Sequence, residues 1–101
     1  MARRQTFFTA WFSPGFAESY AALPADLQER CDETIMALVK GLAPPGLRVK
    51  PIHPDKYYNE ARISSGDRIV FRVEGGQIDF VDVVKHDDIG RYGRKPKSKP
   101  V

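Results

Sequence analysis

At 101 residues, the chain has room for one domain with a modest core. Its 42% hydrophobic content is that of a folded globule, Cys31 is the only cysteine, and no apolar run is long enough to cross a bilayer, so a disulfide scaffold and a membrane span are both excluded. The formal net charge of +3 is unevenly placed: residues 1–47 hold four basic and five acidic side chains, residues 48–101 twelve and eight, and a basic second half suits a polyanionic partner.

Residues 1–12 carry Arg3 and Arg4 ahead of an aromatic run, but Pro14 follows and no small-residue cleavage site does, so no secretory leader is read and a reducing cytoplasm is expected. Residues 5–12 (QTFFTAWF) predict a strand that is largely covered. Ser13 and Pro14 then form an N-cap and a first-turn proline, giving a short helix over residues 16–22 that presents Phe16 and Tyr20. Leu23 and Pro24 open the main helix, whose apolar stripe of Leu27, Cys31, Ile35, Leu38 and Leu42 recurs at steps of three or four. Its outer face is acidic, and Gly41, Pro44 and Pro45 end it. Cys31 lies in the stripe and reads as core, not nucleophile. From residue 46 to 56 (GLRVKPIHPDK) the prolines argue against regular structure, while Arg48, Lys50, His53 and Lys56 follow one another closely.

Residues 58–86 hold three strand-like runs separated by SSGD and EGGQ, the turn chemistry of consecutive hairpins. A two-residue loop at Gly75 and Gly76 pairs Val73 with Ile78, Arg72 with Asp79 and Phe71 with Phe80. A three-residue loop at Ser65, Gly66 and Asp67 sets Ile63 beside Ile69 and Ala61 beside Phe71, keeping the faces unmixed. One face is then apolar (Ile63, Ile69, Phe71, Val73, Ile78, Phe80). The other bears Glu60, Arg62, Ser64, Arg68, Arg72 and Lys85. Asp82 falls on the apolar side in this register and Val81 and Val83 on the charged side, which calls for a bulge or partial cover of the second face. The long helix is the natural lid for the apolar face. After Lys85, HDDIGRYGRKPKSKPV has too many glycines and prolines for a long helix and ends as a flexible basic tail. Residues 1–95 are read as a single domain and 96–101 as the tail.

Among catalytic patterns, HExxH and CxxC are absent, so His53, His86, Asp87 and Asp88 have no spaced partners for a metal. No glycine-flanked nucleophile or phosphate loop occurs, and the one long helix is too acidic to read DNA. What remains is an arginine-rich sheet face near histidine, tyrosine and lysine. That set suits metal-free phosphodiester chemistry on RNA, with guanidinium groups gripping the phosphate and the others moving protons. The bland reading is that Arg62, Arg68 and Arg72 only pair with Glu60, Asp79 and Glu74.

The order of elements, with the helix pair beginning at LP, then GLxxKPI, ARISSGDRIVF and FVDVVKHD, resembles the RelE/ParE-like toxins of bacterial toxin–antitoxin pairs, and within them the RelE and YoeB-like ribosome-dependent mRNA interferases. The resemblance implies an α+β fold: a mostly antiparallel four-stranded sheet with two N-terminal helices on one face, in the order β-α-α-β-β-β. It also implies a toxin that cleaves mRNA on the ribosome through the 2′-hydroxyl, with no cofactor or metal, and that is neutralised by a cognate antitoxin. By the same resemblance Arg62 is the phosphate-binding arginine, His86 the near-terminal histidine, Tyr92 the catalytic tyrosine and Lys50 a catalytic-loop position. The general base stays open between Lys50 and His86. Arg48, Arg68, Arg72, Lys85, Arg91 and Arg94 are expected to bind RNA. The alternatives are a ParE-like inhibitor of DNA gyrase without nuclease activity and an inactive binding module of the same fold.

Overall fold

The computed structural model describes residues 7–97 of the chain. Strand β1 (Thr9–Phe12) runs into Ser13, whose Oγ accepts a hydrogen bond from the Phe16 N–H at 2.9 Å and donates to the Val81 carbonyl at 2.7 Å. Ser13 thus caps a helix and ties it to the sheet at once. Helices α1 (Pro14–Ala21) and α2 (Ala25–Val39) follow. After a 3-10 turn at Pro45–Leu47 come β2 (Lys50–Pro51), β3 (Asn59–Ser64), β4 (Asp67–Glu74) and β5 (Gln77–Lys85), and a 3-10 helix covers His86–Tyr92. The sheet order is β1-β5-β4-β3-β2, with β1 parallel to β5 and the other pairs antiparallel.

The α+β class and the helix pair are as expected; the sheet has five strands and not four. The fifth is β2, which pairs Lys50 with Glu60 and Pro51 with Asn59. An edge strand tolerates proline because its outer N–H groups need no partner. β1 is also an edge strand. Trp11 is 49% exposed and Phe12 44%, so this strand is less covered than its aromatic content suggests. Gln5 and Thr6 lie outside the described residues.

The main core joins Phe16, Cys31 and Leu38 of the helices to Ala61, Ile63, Ile69, Phe71, Ile78, Phe80 and Val83 of the sheet. Each large side chain fully buried there, such as Phe80 or Ile69, stabilises the fold by roughly 1.5–3 kcal/mol. Cys31 is fully buried, and burial, aided by the nearby Asp32 charge, pushes its thiol up to about 12. The helix ends before Leu42, which is 54% exposed, and Thr34 is buried instead. Gly41, at φ +76°, makes the left-handed turn that ends the stripe early.

The β4–β5 hairpin turns at Gly75 and Gly76 in the expected register, Val73 opposite Ile78, Arg72 opposite Asp79 and Phe71 opposite Phe80. The β3–β4 hairpin differs. Its loop is the two residues Ser65 and Gly66, with Ala61 opposite Ile69, Asn59 opposite Phe71 and a register shift between Arg62 and Ser64. Ile63, the extra residue, stays in the core. A short loop plus a bulge therefore solves the same parity problem as a three-residue loop. A second shift, which skips Val81 in β5, turns Val83 into the main core and Asp82 and Val84 to the opposite side.

That opposite side is partly covered. Ile52, Val70 and Val84 form a smaller buried cluster under Tyr58, Val81, Ile89 and Tyr92. The terminal 3-10 helix and the loop before β3 form this cover, closed by hydrogen bonds from Asp55 N–H to the Gly93 carbonyl (3.0 Å) and from Lys95 N–H to Asp55 Oδ2 (2.7 Å). No described helix is long and apolar enough to cross a membrane.

Candidate functional site

β4 alternates Arg68, Val70 and Arg72 on the sheet side away from the helices, so its two arginines stand four residues, about 13 Å, apart on one face. They have different surroundings. Arg68 is only 12% exposed at its side chain; its Nη1 donates to the carbonyls of Ser64 (2.7 Å), Asp67 (3.0 Å) and Ser65 (3.3 Å), and its Nε lies 3.4 Å from Glu60. This guanidinium braces the β3–β4 turn. Arg72 donates to Glu74 at 2.5 Å and lies over the Tyr57 ring, 4.3 Å from its centroid.

The β3–β4 turn gathers the other candidates. Arg62, opposite Arg68, lines a cleft of about 580 Å³ between this turn, the Pro45–Leu47 segment and α2, where Arg30 and Glu33 also face it. On the turn's other flank the His86 N–H donates to the Gly66 carbonyl at 2.9 Å. The His86 imidazole is 55% exposed, its Nδ1 3.6 Å from the Asp87 carboxylate. Lys85 lies 3.1 Å from Asp67, which also accepts from the Ser64 hydroxyl at 2.6 Å. Burial alone would push the Asp67 carboxyl up, but the Ser64 hydroxyl, Lys85 and the Arg68 charge outweigh it and hold it below the ordinary carboxylate range. Arg62 and His86 thus flank one turn, and Ser64 and Ser65, which line the Arg62 cleft, stand between them.

Tyr92 is elsewhere. Its hydroxyl donates to Asp82 Oδ2, and its ring packs edge-on against Tyr58 at 5.5 Å. Burial first, then the bond to Asp82, pushes the phenol up to about 12, so it is neutral at physiological pH and already engaged. Asp82 also accepts from Ser19 Oγ (2.6 Å) and the Val83 N–H (2.8 Å), with Arg91 Nη2 3.8 Å away. Sequence reasoning named Tyr92 but missed Asp82 as its partner. The signal was present, because Asp82 was the residue whose facing conflicted with the hairpin register. Lys50 is exposed on β2 across from Glu60, Arg48 is exposed at φ +48° just before it, and Arg94 is exposed past the terminal 3-10 helix.

No protein-family model matches the chain, and no curated protein matches it significantly. Solved structures do. A chain of the E. coli DinJ–YafQ toxin–antitoxin complex superposes with a TM-score of 0.67 at 11% identity, covering 79% of this chain and 93% of that one. The YoeB/ParE toxin from Agrobacterium tumefaciens gives 0.65 at 21% identity, over 78% of this chain and 99% of that one. A chain of the RelB–RelE antitoxin–toxin complex from Methanococcus jannaschii gives 0.65 at 22% identity, over 81% and 96%. At such identities the backbone path is what is shared: the chain has the fold of the RelE/ParE-like toxins.

Proposed function

We propose that this chain is the toxin of a toxin–antitoxin pair and that it cleaves mRNA held on the ribosome. The observation that carries this reading is the β3–β4 turn, which has the cleft lined by Arg62 on one flank and an exposed His86 imidazole on the other, on a fold shared with YafQ, YoeB and RelE. In the reaction the RNA 2′-oxygen attacks the adjacent phosphorus, its proton passes to a base, and the P–O5′ bond breaks with a proton delivered to the leaving oxygen. Arg62 stabilises the charge gathering on phosphate, and His86 handles the proton at the leaving group. Arg48, Lys50 and Arg94 grip the backbone. Arg68 braces the turn and Tyr92 ties the terminal 3-10 helix to β5, and neither acts in the chemistry, because their polar groups are committed inside the molecule. A cognate antitoxin fits the same reading, since two of the neighbouring structures are toxin–antitoxin complexes.

The test is induction of wild type, Arg62→Ala and His86→Ala in bacteria with mapping of ribosome-bound message ends. Wild type should arrest growth and cut messages, and each variant should lose about 10²-fold or more of the cutting. Uncut messages with wild type reject the nuclease. The engagement of Tyr92 by Asp82 and of Arg68 by backbone carbonyls leaves fewer groups for chemistry, which favours a second reading: a ParE-like inhibitor of DNA gyrase. A supercoiling assay with the purified chain separates the two.

A further inference from the structure

Away from the β3–β4 turn, the same sheet face carries an aromatic cleft that the proposed cleavage chemistry does not use. Trp11 of β1 lies opposite Asp79 of β5, and Asp79 opposite Arg72 of β4, so the three form one row across the sheet. The Tyr57 ring closes the row, with the Arg72 guanidinium 4.3 Å and the Lys95 ammonium 5.6 Å from its centroid. Tyr58 stands edge-on to Tyr57 at 4.9 Å. Trp11, Tyr57, Tyr58, Arg72 and Asp79 line an open cleft of about 290 Å³, at the small end of ligand sites and suited to a single ring system rather than a folded ligand.

The chemistry of this cleft separates it from a phosphate grip. Arg72 is neutralised by Glu74 at 2.5 Å and Asp79 accepts from the Gln77 amide, so the cleft offers the rings of Trp11, Tyr57 and Tyr58 and no net positive charge. Carboxylates repel a phosphate but accept from the exocyclic amines of bases. A half-exposed tryptophan and a partly buried tyrosine beside a guanidinium are groups on which unpaired bases stack. We infer that the cleft of Trp11, Tyr57, Arg72 and Asp79 is a stacking subsite for one unpaired base of single-stranded RNA, about 13 Å along β4 from the arginine that braces the catalytic turn. The inference rests on the RNA reading above and adds where the strand is held beyond the cut. It gives the RNA a path along β4, from the β3–β4 turn toward the β4–β5 turn.

Trp11 is the only tryptophan in the chain, so its fluorescence reports on this cleft alone. The experiment titrates the full chain with a short, uncleavable 2′-O-methyl oligocytidylate carrying a fluorophore, and follows tryptophan quenching and fluorophore anisotropy together. Trp11 should be quenched as the RNA binds, and an abasic strand of the same length should leave it unquenched. Tyr57→Ala should weaken binding by about 5- to 150-fold, and Tyr57→Phe should restore it; circular dichroism checks that both variants are folded. Equal quenching by the abasic strand, unchanged affinity in folded Tyr57→Ala, or quenching by a protein partner but not by RNA would overturn the subsite. The message-mapping experiment decides the parent reading separately: normal cleavage with unquenched Trp11 sinks the subsite alone, whereas loss of cleavage in wild type sinks the nuclease.

Discussion

Asp82 is 7% exposed and accepts from the Ser19 hydroxyl, the Val83 N–H and the Tyr92 hydroxyl, so it joins α1, β5 and the terminal 3-10 helix through one carboxylate. In Asp82→Ala those three donors lose their acceptor. A buried donor left unmatched costs about 1–3 kcal/mol. The Val83 N–H and the Tyr92 hydroxyl carry most of that penalty, because Ser19 is near enough to solvent to find water. Relief from burying the carboxylate offsets part of it, leaving a net loss of about 2–4 kcal/mol, a large share of the roughly 5–15 kcal/mol typical of a domain. Urea unfolding followed by far-UV circular dichroism should show the midpoint falling with little change in slope. Tyr92→Phe removes one donor and leaves Asp82 with two, so its loss should be about 1 kcal/mol. Combining the two changes should destabilise less than their sum by at least about 0.5 kcal/mol, the signature of partners in contact. A strictly additive double variant, or an Asp82→Ala protein within about 0.5 kcal/mol of wild type, would refute the three-way tie.

Three further outcomes follow from the same geometry. The raised Tyr92 phenol ionises later in the folded chain than in the unfolded one, so its contribution to stability should be constant below about pH 10 and fall as pH rises from there toward about 12; Tyr92→Phe should make the alkaline limb shallower, though not flat, since Cys31, Tyr20 and Tyr58 shift the same way. Arg68→Ala should destabilise the fold by about 2–4 kcal/mol in urea melts, because it unpairs a nearly buried Glu60 and frees three carbonyls; unchanged stability with weaker RNA binding would make Arg68 a ligand-binding group instead. A Cβ on Gly93 would lie 2.6 Å from the His53 carbonyl oxygen, so Gly93→Ala should push the C-terminal segment off the 53–55 loop, cost about 1–3 kcal/mol and speed hydrogen exchange at the Asp55 N–H.

How much could be read from the chain beforehand depended on how local the cause was. Gly75 and Gly76 specify their hairpin through backbone conformation alone, and Ser13 and Pro14 specify a helix start, so these elements were legible. The SSGD turn was not, because a three-residue loop and a two-residue loop with a bulge satisfy the same alternation and both keep Ile63 on the core face. The candidate groups at the turn were legible as types: Arg62, Lys85 and His86 do come to one end of the sheet. Their neighbours were not. Arg68 reads as a surface arginine until the turn folds its carbonyls toward it, and Tyr92 reads as a loose terminal phenol until the Val81 bulge swings Asp82 under it. The Trp11, Asp79 and Arg72 row also depends on β1 lying parallel beside β5, a pairing between residues nearly seventy positions apart that no local pattern encodes.

The two borders of the sheet are the four-residue β1 and the two-residue β2. A strand that short offers few unpaired backbone groups to an incoming chain, and Pro51 removes one more donor from the shorter border. Fibre-like stacking of copies therefore has little to build on along β2. The half-exposed aromatics of β1 make that side the one where self-association would begin.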